Sequence, residues 1–176
     1  MSPAPMAERR DALIAGYAAL AVVIHVLEAA VPSPVPGVKP GLANMVVLVA
    51  LLRHGWSVAA WVALLRVVAG ALLAGTFLAP AFWLSGGGAL ASLAALAAGM
   101  AWNRAMPGAP LSALGLAVLA SLAHVTGQLA VAGVLFVPDG VLWRLLPGLA
   151  AAALVFGMLS GWAAGRLIER LEAAPA

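Results

Sequence analysis

The chain alternates between long apolar runs and short stretches rich in Pro, Gly and charge. Six apolar segments stand out, at about 12–31, 41–53, 56–75, 82–102, 111–136 and 141–168. The breaks between them read "PSPVPGVKPGLAN" (residues 32–44), "RHGW", "TFLAP", "NRAMPGAP" and "VPDG". A helix needs roughly 20 residues to cross the hydrocarbon core of a bilayer. The runs are too long and too uniform for strands, and the strands of a membrane barrel would alternate apolar with polar positions. The pattern predicts an all-α integral membrane protein, a single membrane domain over residues 1–176 with six transmembrane helices.

Composition agrees. The chain is 65% hydrophobic and 9% charged, with a mean hydropathy of +1.10, which excludes a soluble domain of this size. It has no Cys, so disulfides, thiol catalysis and thiolate metal sites are excluded. An isoelectric point near 10.7 would suggest nucleic acid in a soluble protein. Here it follows from the scarcity of ionisable groups, with the basic ones at helix ends, so the expected partner is the lipid bilayer and not nucleic acid. No cleavable signal peptide is expected, because "LEAAVPS" is a match that an Ala-rich chain produces by chance.

Lys and Arg set the orientation, since they accumulate in cytoplasmic loops. With the N-terminus in the cytoplasm, Arg9, Arg10, Arg53, Arg104, Arg166 and Arg170 fall inside, Lys39 and Arg144 outside, and Arg66 within a span. The reverse orientation breaks the bias. An even number of spans then returns both termini to the cytoplasm.

The second span is short. Gly41 to Arg53 is 13 residues, about 20 Å of helix, against a core about 30 Å thick. With Arg53 at the cytoplasmic surface, this helix begins about 10 Å below the outer one. The 32–40 segment is then expected to be partly inserted. Non-helical backbone survives at that depth only when buried in protein or lining a wet cavity, and proline suits it by lacking an N–H. The alternative is an ordinary exposed Pro-rich loop with Lys39 at the interface. In the inserted arrangement, the free N–H groups of the second helix, its positive dipole end, Lys39, and Asn44 in the first turn could hold an anion or a polar ligand group.

Ionisable groups inside a span are costly and mark candidate sites. The first span carries His25 and Glu28, three apart and so on one face; the third carries Arg66; the fifth carries Ser121, His124 and Gln128 as a stripe. With Lys39 and Asn44, all lie at mid-membrane or in the outer half. One outward-facing substrate pocket explains that bias, with Glu28 pairing to Arg66 or Lys39. A structural ion pair with interhelical hydrogen bonds from His124 and Gln128 is the plainer account of each residue singly. No catalytic set is visible. The acids are Glu8, Asp11, Glu28, Asp139, Glu169 and Glu172, and none form an Asp-rich pair that would hold Mg²⁺ on a diphosphate. His25, His124 and Glu28 are too weak a signal to assign a metal.

Small residues mark packing faces. Gly157, Gly161 and Gly165 form a ridge on the last span, Ala15 and Ala19 a small-residue face on the first, and both are expected to pack against a partner's helix. Small residues in "SGGGALAS" (85–92) read as a close-packed span start, and Pro147 as a kink or tilt in the sixth span.

Four stretches, "PGVKPGLANMVVLVAL", "ALLRVVAGALLAGTF", "LSGGGALASL" and "AHVTGQL", resemble the Gx transporter family, also named heptaprenyl diphosphate synthase component I. The resemblance runs from about residue 12 to 168 and rests on Glu28, Gly37, Lys39, Gly41, Asn44, Arg66, Ser85, His124, Gly127 and Gln128. Pro40 stands where a small aliphatic residue is expected, and Thr126 where Asn is expected. The family is similar to the S components of energy-coupling-factor transporters. The resemblance therefore implies a six-helix bundle that holds a small molecule near the outer face of the bacterial cytoplasmic membrane. It also implies packing on a transmembrane coupling subunit driven by ATPases. The family's other name implies a non-catalytic accessory of heptaprenyl diphosphate or quinone synthesis. Relatives associated with flavin or quinone electron transfer would favour a flavin or isoprenoid ligand and a membrane redox partner.

Overall fold

The structure, a computed structural model, describes residues 3–30, 42–137 and 141–173. Among these residues it is all-helical: α1 (Pro3–Ala30), α2 (Leu42–His54), α3 (Trp56–Leu73), α4 (Pro80–Ala105), α5 (Ala113–Leu135) and α6 (Leu146–Ala173), with a 3₁₀ turn, Val141–Leu145, before α6. The six helices fall on the six apolar segments. Five stretches, Met6–Leu27, Trp56–Leu73, Pro80–Ala105, Ala113–Leu135 and Leu142–Ala173, are long and apolar enough to cross a membrane, while Ala43–His54 is a shorter apolar helix.

The breaks have local causes. Gly55, at φ 86°, reverses the chain between α2 and α3 in a single residue. Pro80 opens α4 in the first turn, where a missing N–H costs nothing. Ser112 caps α5 by accepting the Gly115 N–H at 3.2 Å. The α4–α5 turn is also tied by Asn103, whose side chain donates to the Leu111 carbonyl at 3.0 Å and accepts the Leu111 N–H at 2.7 Å. Pro147 is the second residue of α6, behind the 3₁₀ turn. Within the Leu142–Ala173 stretch the proline stands where the 3₁₀ turn gives way to the α-helix, in a first turn to which its geometry is suited.

Neighbours in sequence pack antiparallel. Gly99 lies against Leu116 of α5, and Gly88 against His124 and Gln128. Gly161 lies against Leu114 and Ala117, and Gly157 against Val118 and Ser121. α1 and α3 run the same way, with Arg10 donating to Ser57 near their starts and His25 lying over Gly70 near their ends. The end of the bundle where α1 starts is called proximal here, and the other distal.

The short α2 sits in the middle. Val46 through Leu51 are six consecutive buried residues, so every face of the helix is covered. Ala21 of α1, Ala59 and Val62 of α3, Leu96 of α4, Leu116 and Ala120 of α5, and Ala164 of α6 share the same core cluster. Many of these are Ala. In lipid, apolar surface gains nothing by leaving its solvent, so helix association rests on close packing, which small residues permit. The outward faces are apolar instead, with Leu64, Leu73, Leu90, Val134, Leu159 and Trp162 all exposed. This inside-out distribution fits a multi-pass membrane protein.

Candidate functional site

Among the described residues, a polar cluster lies in the apolar interior near the distal end. Arg66 on α3 is 6% exposed and is held by interactions within the chain, as is His25 on α1. Gly70 follows Arg66 by one turn on the same face of α3. A Cβ at Gly70 would stand 3.1 Å from His25 Cδ2, so the bare backbone one turn beyond Arg66 seats the imidazole.

The second wall comes from α4 and α5. A Cβ at Gly88 would stand 2.7 Å from His124 Cε1, 2.8 Å from its Nε2 and 2.9 Å from Gln128 Cγ. Only glycine lets both side chains lie against α4. The His124 ring hydrogen-bonds the Gly88 backbone and lies within electrostatic range of Arg66 and of His25. Its Nδ1 is buried with no hydrogen-bond partner among the described residues. α4 and α5 can approach this closely because Gly87 faces Gly127. A Cβ on Gly127 would fall 2.7 Å from the Gly87 carbonyl oxygen and 2.5 Å from Ala91 Cβ. The "SGGG" run thus acts as the close-packed start expected for it.

The structure therefore gathers His25, Arg66, His124 and Gln128 from α1, α3 and α5. Ser121 stands one turn nearer the proximal end on α5, and its Oγ and Cβ face Gly157 of α6. Asn44 lies half-buried in the first turn of α2. Among the described residues no hydrogen bond joins Asn44 to the cluster. Glu28 is on α1, one turn beyond His25, but its side chain, Lys39 and the 32–40 segment lie outside the described residues. Gly70 and Gly88 are the contributors that sequence reasoning missed. The signal for Gly70 was its place four residues after Arg66.

The small-residue faces resolve differently. A Cβ on Gly161 would meet Leu114 Cα at 2.6 Å, and one on Gly157 would meet Val118 Cα at 2.9 Å, whereas one on Gly165 meets nothing within 4 Å. Gly157 and Gly161 are thus used inside the chain, against α5. The expectation that they receive a partner's helix is corrected, because that space is filled. Ala15 and Ala19 on α1 are exposed.

The cluster offers a guanidinium, two imidazoles and an amide in a water-poor interior. Such a set can hold a negatively charged or strongly hydrogen-bonding group by charge-assisted bonds. Fold and site together define a multi-pass helical membrane protein with a part-buried polar cluster among its helices. The sequence model of the family described as heptaprenyl diphosphate synthase component I matches residues 17–167, and the chain belongs to that family. No curated protein and no solved structure matched the chain.

Proposed function

We propose that this protein is a substrate-binding component of a membrane transport system, similar to the S components of energy-coupling-factor transporters. It captures a small molecule bearing a negative group from the outer face of the bacterial cytoplasmic membrane. The observation that carries this is the convergence of half-buried His25, His124 and Gln128 around the buried Arg66, with Gly70 and Gly88 cleared to admit the two imidazoles. Glu28, Lys39 and Asn44 complete the proposed site, from which Ser121 is left out because it faces α6, and both termini are cytoplasmic. The exposed Ala15 and Ala19 are the proposed seat for a transmembrane coupling subunit.

Native mass spectrometry of protein released from mild detergent tests the reading. The expected result is a retained small-molecule mass that is lost in Arg66→Ala and in Lys39→Ala. Ligand-free protein, or variants that retain ligand as the wild type does, would overturn it. A second reading follows from the family's description: a non-catalytic membrane accessory of heptaprenyl diphosphate or quinone synthesis, or of a flavin-dependent redox complex, with a flavin or isoprenoid ligand. It predicts prenyl products that shorten or vanish on deletion, and an unchanged quinone profile removes it.

A further inference from the structure

We propose that the proximal half of α1 carries a binding site for one anionic phospholipid, with the phosphate at Arg9 and an acyl chain along the face that ends at Leu20. An open groove of about 580 Å³ runs there, lined by Arg9, Ala12, Leu13, Gly16, Tyr17 and Leu20. Arg9, Leu13, Gly16 and Leu20 recur at three- and four-residue intervals, so they share one helix face. Gly16 forms the floor, where an added Cβ would meet nothing within 4 Å. Apart from Arg9 and from Tyr17, whose hydroxyl is hydrogen-bonded to His54, the lining is apolar.

Length and charge select the occupant. From Arg9 to Leu20 the helix rises about 17 Å, close to the ~15 Å of one hydrocarbon leaflet. A cation at the surface end of a leaflet-long apolar groove is complementary to a lipid with a net negative headgroup. The Arg9 guanidinium has no hydrogen bond or ion pair with any described residue, whereas Arg10 is held by Ser57. A second groove beside α1, about 390 Å³, places Asp11 beside Arg10 in its lining. That carboxylate opposes an anion, so the two grooves are not equivalent.

The full chain in mild detergent is titrated with dioleoylphosphatidylglycerol or dioleoylphosphatidylcholine, and bound lipid is counted by native mass spectrometry. The expected result is one phosphatidylglycerol retained roughly fivefold more strongly than phosphatidylcholine, the share one basic residue contributes at an anionic surface. Arg9→Gln should bring the two lipids level, and Arg10→Gln should leave the preference intact. Gly16→Leu, whose side chain fills open space, should weaken both lipids without lowering the melting temperature. Equal retention of the two lipids by the wild type, or an undiminished preference in Arg9→Gln, would overturn the proposal. So would a Gly16→Leu variant that keeps its lipid but loses a copurifying protein chain, which would assign the groove to a helix of that partner.

Discussion

Gly161 and Gly165 stand one turn apart on α6, share the same spacing pattern and differ in what they face. A Cβ on Gly161 would stand 2.6 Å from Leu114 Cα and 2.9 Å from Ala117 Cβ, while one on Gly165 would enter open space. Carbon atoms pack comfortably at about 3.5–4.0 Å. Gly161→Ala must therefore push α5 and α6 apart by ~1 Å, and the obstacle is backbone that no rotamer change can move. Overpacking of this kind costs ~1–3 kcal/mol. Both substitutions gain the same intrinsic preference of Ala over Gly in a helix, ~1 kcal/mol, so that term cancels between them. Gly161→Ala should be less stable than Gly165→Ala by ~1–3 kcal/mol, or roughly 2–12 °C in melting temperature for a chain of this size. Thermal unfolding of both variants, followed by circular dichroism at 222 nm in one detergent, measures the difference. Equal melting temperatures, or the reverse order, would refute the assignment of the ridge to α5.

Other substitutions probe other joints. Asn103→Ala removes both bonds to the Leu111 backbone and should cost ~1–3 kcal/mol, with Asn103→Asp, which keeps only the acceptor, intermediate; unfolding midpoints read both. Tyr17→Phe loses the hydrogen bond to His54 at 3.2 Å but keeps the edge-on ring contact, so a loss of ~1 kcal/mol or less is expected in the same assay. Gly88→Ala displaces the His124 ring, a mobile side chain rather than backbone, so it should lower stability less than Gly127→Ala, whose Cβ meets the Gly87 carbonyl. If His124 contributes to ligand retention, Gly88→Ala should also weaken ligand affinity roughly tenfold, the equivalent of one lost hydrogen bond, and so lower the fraction of chains carrying a copurified ligand. Occupancy equal to the wild type in native mass spectrometry would remove His124 from the site.

The parts legible in the sequence were those whose residue types are rare where they stand. Arg66, His25 and His124 are conspicuous in apolar runs, and counting from Gly41 to Arg53 exposed the short helix. Gly70 and Gly88 were hidden because small residues abound here, and a glycine reveals its role only when the side chain opposite it is known. Periodicity grouped Ser121 with His124 and Gln128, yet Ser121 faces α6 and the other two face α4. A stripe gives a face but not the neighbour on each edge of it. The Gly157–Gly161 ridge carried the same ambiguity: spacing announces close approach without saying whose helix approaches.

The enclosed α2 constrains how this protein is made. Thirteen residues are too few to be held across a bilayer alone, and only Gly55 separates them from α3. During synthesis α2 must enter the lipid as one hairpin with α3. Its remaining walls, from α5 and α6, emerge from the ribosome last. Until then the nascent chain carries an unfinished groove, the kind of surface that membrane quality-control proteases and insertion chaperones engage. Chains cut short before α6 should therefore be cleared rather than accumulate as a smaller stable bundle.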